Sequence, residues 1–132
     1  MKAVSEEIQD LSIKSLESTL NKLSNASNTM SAKGANTNIV KKRRNAVQIG
    51  LTSLKDTWNK EGFFYNEESI LITKDVLQGI LPSIKKQIEK AKEGSSQKTL
   101  NERRLLAIKL ALESLEDRLR GNETPIREHP TN

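Results

Sequence analysis

Apolar residues recur every three or four positions along four stretches of this chain, a spacing that places side chains on one face of an α-helix. The pattern therefore predicts four amphipathic helices and an all-α fold. The first helix is predicted to reach about residue 32, although Ser27 interrupts its apolar stripe. The four stripes run through Leu16, Leu20, Leu23 and Met30; through Val47, Leu51, Leu54 and Trp58; through Leu77, Leu81, Ile84, Ile88 and Ala91; and through Ile108, Leu112, Leu115 and Leu119.

The second and fourth stripes belong to two stretches that repeat one another. The stretch KKRRNAVQIGLTSLKDTW, residues 41–58, aligns without a gap on ERRLLAIKLALESLEDRL, residues 102–119. The first and third stripes align under the same shift of 61 positions. A duplication explains this register, and chance convergence on one helical pattern is the alternative. The residues that meet an identical partner include Ala46, Leu51, Ser53, Leu54 and Asp56.

A repeated helical hairpin suggests how the chain buries its apolar stripes. One amphipathic hairpin cannot cover its own stripe, whereas two hairpins can cover each other. We therefore predict an up-down-up-down four-helix bundle in a single domain over residues 1–121, built from hairpins at 4–60 and 66–121. Residues 122–132 hold two prolines and little that is apolar, so they are predicted to form a flexible tail. The predicted core includes Leu51, Leu54, Leu112 and Leu115.

Several residue types mark the predicted helix ends. Acidic residues directly follow Ser5 and Asn66, and the helix dipole favours acids in the first turn. Thr99 and Glu102 have the spacing of a capping box for the fourth helix. Pro82 is expected to kink or divide the third helix. The helices are expected to stop near glycines, at Gly34, Gly62, Gly94 and Gly121.

Composition limits the class of protein. The 132 residues suit one domain, and the absence of cysteine excludes a disulfide, a thiol nucleophile and a cysteine–zinc site. No stretch approaches the roughly 20 apolar residues that span a bilayer. The N-terminus lacks the apolar run of a secretory signal. We therefore expect a cytoplasmic protein that makes no membrane contact.

Nothing in the sequence points to catalysis. The single histidine, His129, lies in the predicted tail, so the Glu-x-x-His motifs of a metal site inside a bundle do not occur. Glycine loops that bind phosphates or dinucleotides and the serine elbow of hydrolases do not occur either. We expect no enzyme activity, no metal and no cofactor.

Six basic residues form the first candidate binding surface. Lys41, Lys42, Arg43 and Arg44 open the second helix, and Arg103 and Arg104 hold the matching places in the fourth. If the repeat holds, all six lie at one end of the bundle, and we call them the basic end. They are either solvated charges paired with acids on neighbouring helices or a surface for phosphates or an acidic protein. Cations near a helix N-terminus oppose the helix dipole, which slightly favours the functional alternative.

All four aromatic residues lie within eight positions, between the two hairpins. Trp58 continues the second stripe and is predicted to be core. Phe63, Phe64 and Tyr65 either plug the end of the bundle away from the basic end or anchor a partner protein. Because neighbouring residues of an extended segment point to opposite sides, at least one of Phe63 and Phe64 is predicted to be exposed.

These features predict a non-enzymatic binding module, a small intracellular protein-protein interaction or regulatory protein whose contacts are Phe63, Phe64 and Tyr65. The alternative is a nucleic-acid-binding accessory protein that uses the basic end. The basic, cysteine-free composition with asparagine-rich loops suits a bacterial or phage accessory role. A homo-oligomer is left open.

Overall fold

The computed structural model describes residues 1–123, so His129 and most of the predicted tail lie outside the described residues. Within that range the chain forms four helices and no strand, which confirms the predicted all-α class and the helical bundle. The helices are α1 (Glu6–Ala32), α2 (Asn38–Asn59), α3 (Glu67–Lys90) and α4 (Ser96–Glu123).

The packing of the helices makes α2 and α4 the central pair. Each consecutive pair of helices packs together, and α4 also packs against α1. Helices α2 and α4 touch directly, whereas no Cα atom of α1 lies within 8 Å of one in α3 in the described range. The two helices that carry the repeated stretch therefore pack on each other, with α1 and α3 as the outer pair.

Small residues allow α2 and α4 to approach closely. A Cβ atom on Gly50 would stand 3.2 Å from the Cβ of Ala111, so a side chain there would require the two helices to shift by a few tenths of an ångström. The hydroxyls of Ser53 and Ser114 hydrogen-bond to each other at 2.6 Å. Small buried residues occupy the same three places on both helices, namely Ala46, Gly50 and Ser53 on α2 and Ala107, Ala111 and Ser114 on α4. The repeated stretch therefore provides both sides of one close helix–helix contact.

The hydrophobic core surrounds this central contact. Leu51, Leu54 and Leu115 are buried as predicted. Leu112 is only half-buried, so its assignment to the core is wrong, and the nearby Leu110 is fully buried instead. Because α4 packs against all three other helices, its buried surface is wider than a single apolar stripe.

Side chains cap α1 and α3 as predicted. The Ser5 hydroxyl accepts a hydrogen bond from the Ile8 N–H at 3.2 Å. The Asn66 Oδ1 atom accepts one from the Ser69 N–H at 2.8 Å. Both caps satisfy a backbone donor that the helix leaves without a partner. Helix α1 continues to Ala32, which confirms the long first helix.

Two predicted helix ends are wrong, and the predicted division of α3 at Pro82 does not occur. The capping box at Thr99 does not begin α4, because the Ser95 hydroxyl accepts a helix N–H at 3.2 Å and α4 starts one turn earlier. Gly121 does not end α4, which continues to Glu123 and so includes the first two residues of the predicted tail. Pro82 does not divide α3, since it lies on the exposed side of the helix, where water can satisfy the carbonyl that a proline leaves unpaired.

Candidate functional site

Arg43 of α2 and Arg104 of α4 meet at one end of the bundle. They lie 61 positions apart in the sequence, and both line a single cavity of about 180 Å³. Arg104 is half-buried, whereas Arg43 is exposed. Arg103, next to Arg104, lines a separate groove between α1 and α4. The structure therefore brings the arginines of the two clusters to the same end.

The four cations that open α2 surround the helix rather than forming one face. Lys41 and Arg44 line a polar groove of about 420 Å³ between α1 and α2. Lys42 lines a groove between α2 and α3, and Arg43 lines the cavity shared with Arg104. With 3.6 residues per helical turn, successive side chains leave the axis in different directions. Each of the three openings around α2 is therefore lined by at least one cation of this helix.

None of these six basic residues is paired with an acid in the described part of the chain. No ion pair within 4.0 Å joins any of them to a described carboxylate. The Arg44 Nε donates instead to the Ser24 hydroxyl at 2.9 Å. The Arg104 Nε donates to the Thr19 hydroxyl at 2.9 Å, and its Nη1 reaches Asn101 Oδ1 at 3.5 Å. Among residues 1–123, none of the six therefore forms the ion pair with a neighbouring helix that would explain it structurally.

A gap in the distribution of acids accounts for the unpaired cations of α2, and the helical pattern does not bring this gap out. No Asp or Glu occurs between Glu17 and Asp56, whereas that stretch holds seven lysines and arginines. The corresponding stretch 61 positions later, between Gln78 and Asp117, holds five glutamates. The four cations that open α2 therefore have no acid near them in the sequence. This signal could have identified the basic end from the sequence.

The loop between α2 and α3, residues 60–66, holds three aromatic residues, and we call it the aromatic loop. Its backbone turns through positive φ angles, +55° at Lys60 and +101° at Gly62. The Gly62 N–H donates to Asp56 Oδ1 at 2.8 Å, and Arg118 Nη2 donates to Asp56 Oδ2 at 2.9 Å. The Arg118 hydrogen bond, and next the Gly62 N–H, hold the pKa of Asp56 below its usual value. The loop is therefore tied to both central helices.

Phe63 and Phe64 have opposite surroundings. Phe63 is half-buried against the core, with the Arg118 guanidinium 4.0 Å from its ring centroid and the Tyr65 ring 5.2 Å away. Phe64 is 94% exposed, which confirms the prediction that one of the two lies at the surface. Trp58, predicted to be core, is only half-buried and packs at the edge of the core. Phe63 therefore covers the end of the bundle, as the plug alternative predicts. Phe64 and Tyr65 instead present aromatic surface to the solvent.

Gly62 is needed in the aromatic loop because of its backbone conformation. Its φ of +101° lies in a region that residues with a side chain rarely adopt. In addition, a Cβ atom at this position would stand 2.8 Å from Cε2 of Phe64. The Phe64 ring thus lies against the glycine while almost all of its surface faces outward.

Sequence reasoning missed the residue that holds this end of the bundle together. Arg118 Nε donates to the Ser53 hydroxyl at 2.8 Å, and its Nη2 donates to the Ser53 carbonyl oxygen at 3.0 Å. The same Nη2 donates to Asp56. In the 61-position register Arg118 stands opposite Thr57, so the repeat gives it no counterpart. Only the packing of α4 on α2 shows that it reaches Asp56.

Comparison with protein-family models, with curated proteins and with solved structures finds no match to this chain. Among residues 1–123, no group of three or more histidine, cysteine or acidic side chains is placed to hold a metal ion. No helix in that range is long and apolar enough to cross a membrane. The distinctive chemistry of the described residues is an exposed aromatic ring at one end of α2 and unpaired cations at the other.

Proposed function

We propose that this protein is a non-enzymatic binding module that holds a partner protein through the aromatic loop. The observation that carries the proposal is the exposure of Phe64, at 94%, on a loop whose backbone is hydrogen-bonded to the bundle. Tyr65, at 40% exposure, extends the same surface. Phe63, the third predicted contact residue, packs against the core, and its ring lies tilted against that of Tyr65.

Because Phe64 is exposed, its ring does not contribute the free energy of burial that a small bundle normally gains from its large apolar side chains. Burying one large apolar side chain stabilises a fold by about 1.5–3 kcal/mol. Phe63 packs against the core, but Phe64 does not. Aromatic side chains near the centre of an interface supply much of the binding free energy in protein complexes. Phe64 therefore has the position expected of an interface anchor.

Contacts with the bundle hold the loop on the N-terminal side of Phe64 before a partner arrives. Asp56 fixes the Gly62 backbone, and the Arg118 guanidinium covers Phe63. Ordering a flexible side chain at an interface costs about 0.5–1.5 kcal/mol. Because the segment on the N-terminal side of Phe64 is already fixed, less of this cost remains to be met on binding.

Replacement of Phe64 by alanine tests the proposal. Wild type and Phe64→Ala are immobilised and used to capture proteins from the native host at low and at high salt. We expect wild type to retain a partner at high salt, because salt screens charges and not apolar burial, and Phe64→Ala to lose it. The matched control is Ile39→Ala, which removes an apolar side chain that is 66% exposed in the first turn of α2. Loss by both variants, or retention by both, contradicts the proposal.

We also propose that the helices alternate up and down and that the two hairpins form an internal repeat. Two contacts across the 61-position register support a twofold relation between them. Ser53 and Ser114 hydrogen-bond to each other, and Arg43 and Arg104 line one cavity. An experimental structure in which the two hairpins superpose as rigid units would sustain the repeat, and clearly different crossing angles in the two hairpins would refute it.

Two aspartates support the same register at the hairpin junctions. Asp56 accepts from the Gly62 N–H, and Asp117 contacts the amino group of Met1. Asp56 and Asp117 are 61 positions apart, and so are Met1 and Gly62. The same backbone position therefore meets the same carboxylate in both halves of the chain.

A second copy of this chain is one possible partner for the aromatic loop. Light scattering over a range of protein concentrations distinguishes this case, since Phe64→Ala would then remain a monomer where wild type associates.

We also propose that the protein is cytoplasmic. Fractionation of host cells tests this location.

A further inference from the structure

The cavity between Arg43 and Arg104 has the lining of an anion site. A third cation, Lys22, lines it as well. Its polar lining is completed by hydroxyl and amide side chains, those of Thr19, Ser83 and Gln87. The remaining lining is aliphatic, and no carboxylate contributes. Every charge on this lining is therefore positive.

Arg104 is a half-buried cation that has no counter-charge among the described residues. Its hydrogen bonds go to Thr19 and Asn101, which are both neutral. Burial lowers the pKa of Arg104, because the charged form loses part of its hydration, yet a guanidinium remains protonated at neutral pH. Arg43 adds a second positive charge to the same cavity. An anion between the two groups would offset both their repulsion and the missing hydration.

Phosphate is the anion that suits this pair of groups best. The planar fork of a guanidinium matches two oxygens of a phosphate and forms short, charge-assisted hydrogen bonds with them. Thr19 fixes the Arg104 side chain through Nε. No described residue accepts a hydrogen bond from Nη2 of Arg104, so this nitrogen can donate to a ligand.

The next residue along α2 after Arg43, Arg44, lines a second opening of the same character. Lys41 and Arg44 line it, and its remaining lining is Ser24, Ser27, Asn28 and Asn45, again without a carboxylate. A single phosphate ion can occupy only one of these openings. Successive phosphates of a nucleic-acid backbone can occupy several at once. The arrangement therefore favours a chain of phosphates over an isolated one.

The bundle itself does not require this polar lining. In the 61-position register, Arg44 corresponds to Leu105 and Asn45 corresponds to Leu106. Both leucines pack against the hydrophobic core. The first hairpin thus carries a cation and an amide at places where the second hairpin adds apolar side chains to the core, which points to a role outside the fold.

We propose that the basic end binds nucleic acid through its phosphodiester backbone, with one phosphate between Arg43 and Arg104 and further phosphates beside Lys41 and Arg44. Backbone contacts carry no information about base sequence, so this binding is non-specific and weakens as salt rises. It uses none of the residues of the aromatic loop and goes beyond the proposed partner protein.

Fluorescence anisotropy of a short labelled DNA duplex, titrated with the full chain between about 50 and about 200 mM salt, tests this proposal. We expect wild type to bind with an affinity that falls steeply with salt. Arg43→Gln/Arg104→Gln should bind at least about tenfold more weakly, with a salt slope shallower by about 0.9 for each phosphate that the variant no longer neutralises. The matched control, Lys2→Gln/Lys109→Gln, removes the same charge from exposed positions outside these openings, and its affinity should fall by less than about threefold.

A variant that keeps the net charge distinguishes a site with oriented side chains from general electrostatic attraction between the protein and DNA. Thr19→Val removes the hydroxyl that orients Arg104, and we expect it to bind DNA at least about threefold more weakly. Circular dichroism shows whether a change at Thr19 or Arg104 disturbs folding. If it does, Arg43→Gln alone tests the site, because Arg43 is exposed. Unchanged binding by Thr19→Val while it is folded, or equal losses of affinity in the double variant and its control, overturns the site. Absence of DNA binding by wild type overturns the proposal outright.

Two competitors show whether the anion that binds belongs to a nucleic acid, an acidic protein or a small polyphosphate. Polyglutamate and inorganic triphosphate are added to the DNA complex at equal concentrations of charge. We expect the unlabelled duplex to displace the label more effectively than either. Equal displacement by polyglutamate identifies an acidic protein as the ligand, and equal displacement by triphosphate identifies a small polyphosphate, and each result overturns nucleic acid. Phe64→Ala should bind DNA as wild type does, so failure of this proposal and failure of the aromatic contact are distinguishable.

Discussion

Arg104 and Arg118 lie near opposite ends of α4 and are both half-buried, yet their surroundings differ in one respect. Arg118 donates to the Asp56 carboxylate at 2.9 Å as well as to Ser53. Arg104 donates only to neutral groups. The same kind of side chain on the same helix is therefore neutralised at the aromatic end and left without a counter-charge at the other.

This difference follows from where the acids lie in the sequence. Asp56 is the first acid after a stretch that begins beyond Glu17, and it lies close enough to pair with Arg118. The stretch between these two acids includes Lys41, Lys42, Arg43 and Arg44 of the basic end. Arg118 therefore acts inside the fold, where it ties the aromatic loop to α4. Arg104 and its neighbours retain their capacity to bind an anion from outside.

The core between the two ends sets the scale for every other effect. Leu54→Ala and Leu115→Ala each remove a fully buried side chain, and we expect a loss of about 2–5 kcal/mol in the free energy of unfolding. Leu112→Ala should cost less, since Leu112 is half-buried. Urea denaturation measures all three. A loss below about 1 kcal/mol at Leu54 or Leu115 would mean that these positions are not core.

Replacement of each arginine by methionine compares the two ends directly. Arg118→Met should lower the free energy of unfolding, because it leaves Asp56 without its charged donor and uncovers Phe63. Arg104→Met should cost less than Arg118→Met, because the removal of a half-buried charge that lacks a counter-charge offsets the loss of the hydrogen bonds to Thr19 and Asn101. Equal costs in urea denaturation would contradict the contrast between the two ends.

The dependence of stability on acidic pH should arise at the aromatic end. The pKa of Asp56 is lowered in the folded state, chiefly by Arg118, from an ordinary value of 3.8. Its contribution to stability is therefore complete above about pH 4 and is lost as the pH falls through the lower, folded pKa. We expect Asp56→Asn to flatten the curve of urea midpoint against pH below about pH 4. Arg104→Met should leave that part of the curve unchanged, and a flattening there would show that the basic end contributes to acid unfolding.

The smallest effect on stability is expected at Phe64. Because this ring is 94% exposed, Phe64→Ala should change the free energy of unfolding by less than about 0.5 kcal/mol. Phe63→Ala should cost more, since Phe63 packs against the core beneath Arg118. Thermal unfolding compares the two variants. A drop in Tm for Phe64→Ala as large as that for Phe63→Ala would show that the Phe64 ring is covered in solution.

Local patterns were enough to predict most of the fold. The spacing of apolar residues predicts four helices, and the caps at Ser5 and Asn66 depend only on neighbouring residues. The choice between Leu110 and Leu112 as core could not be made locally, because it depends on which helices surround α4. The start of α4 at Ser96 was missed because two hydroxyl residues, one turn apart, both suit a cap.

The sequence was enough to name the residues of the candidate sites, but not the contacts that those residues make. The repeat predicted that Arg43 and Arg104 lie at one end, and the structure places both on one cavity. The partnership of Arg118 with Asp56 joins two helices that no local pattern connects. The exposure of Phe64 follows from the alternation of an extended segment, but which of the two phenylalanines faces outward depends on how Asp56 fixes the turn at Gly62.

The central claim is that the arginines of the basic end are available to an external anion whereas Arg118 is not. NMR can follow the Nε–H signals of Arg43, Arg104 and Arg118 separately in the full chain while a short DNA duplex is added. The Arg43 and Arg104 signals are expected to shift progressively and reach a plateau, while the Arg118 signal, held by Ser53 and Asp56, stays in place. Equal shifts of all three signals, or no shift at Arg43 and Arg104, would contradict the account.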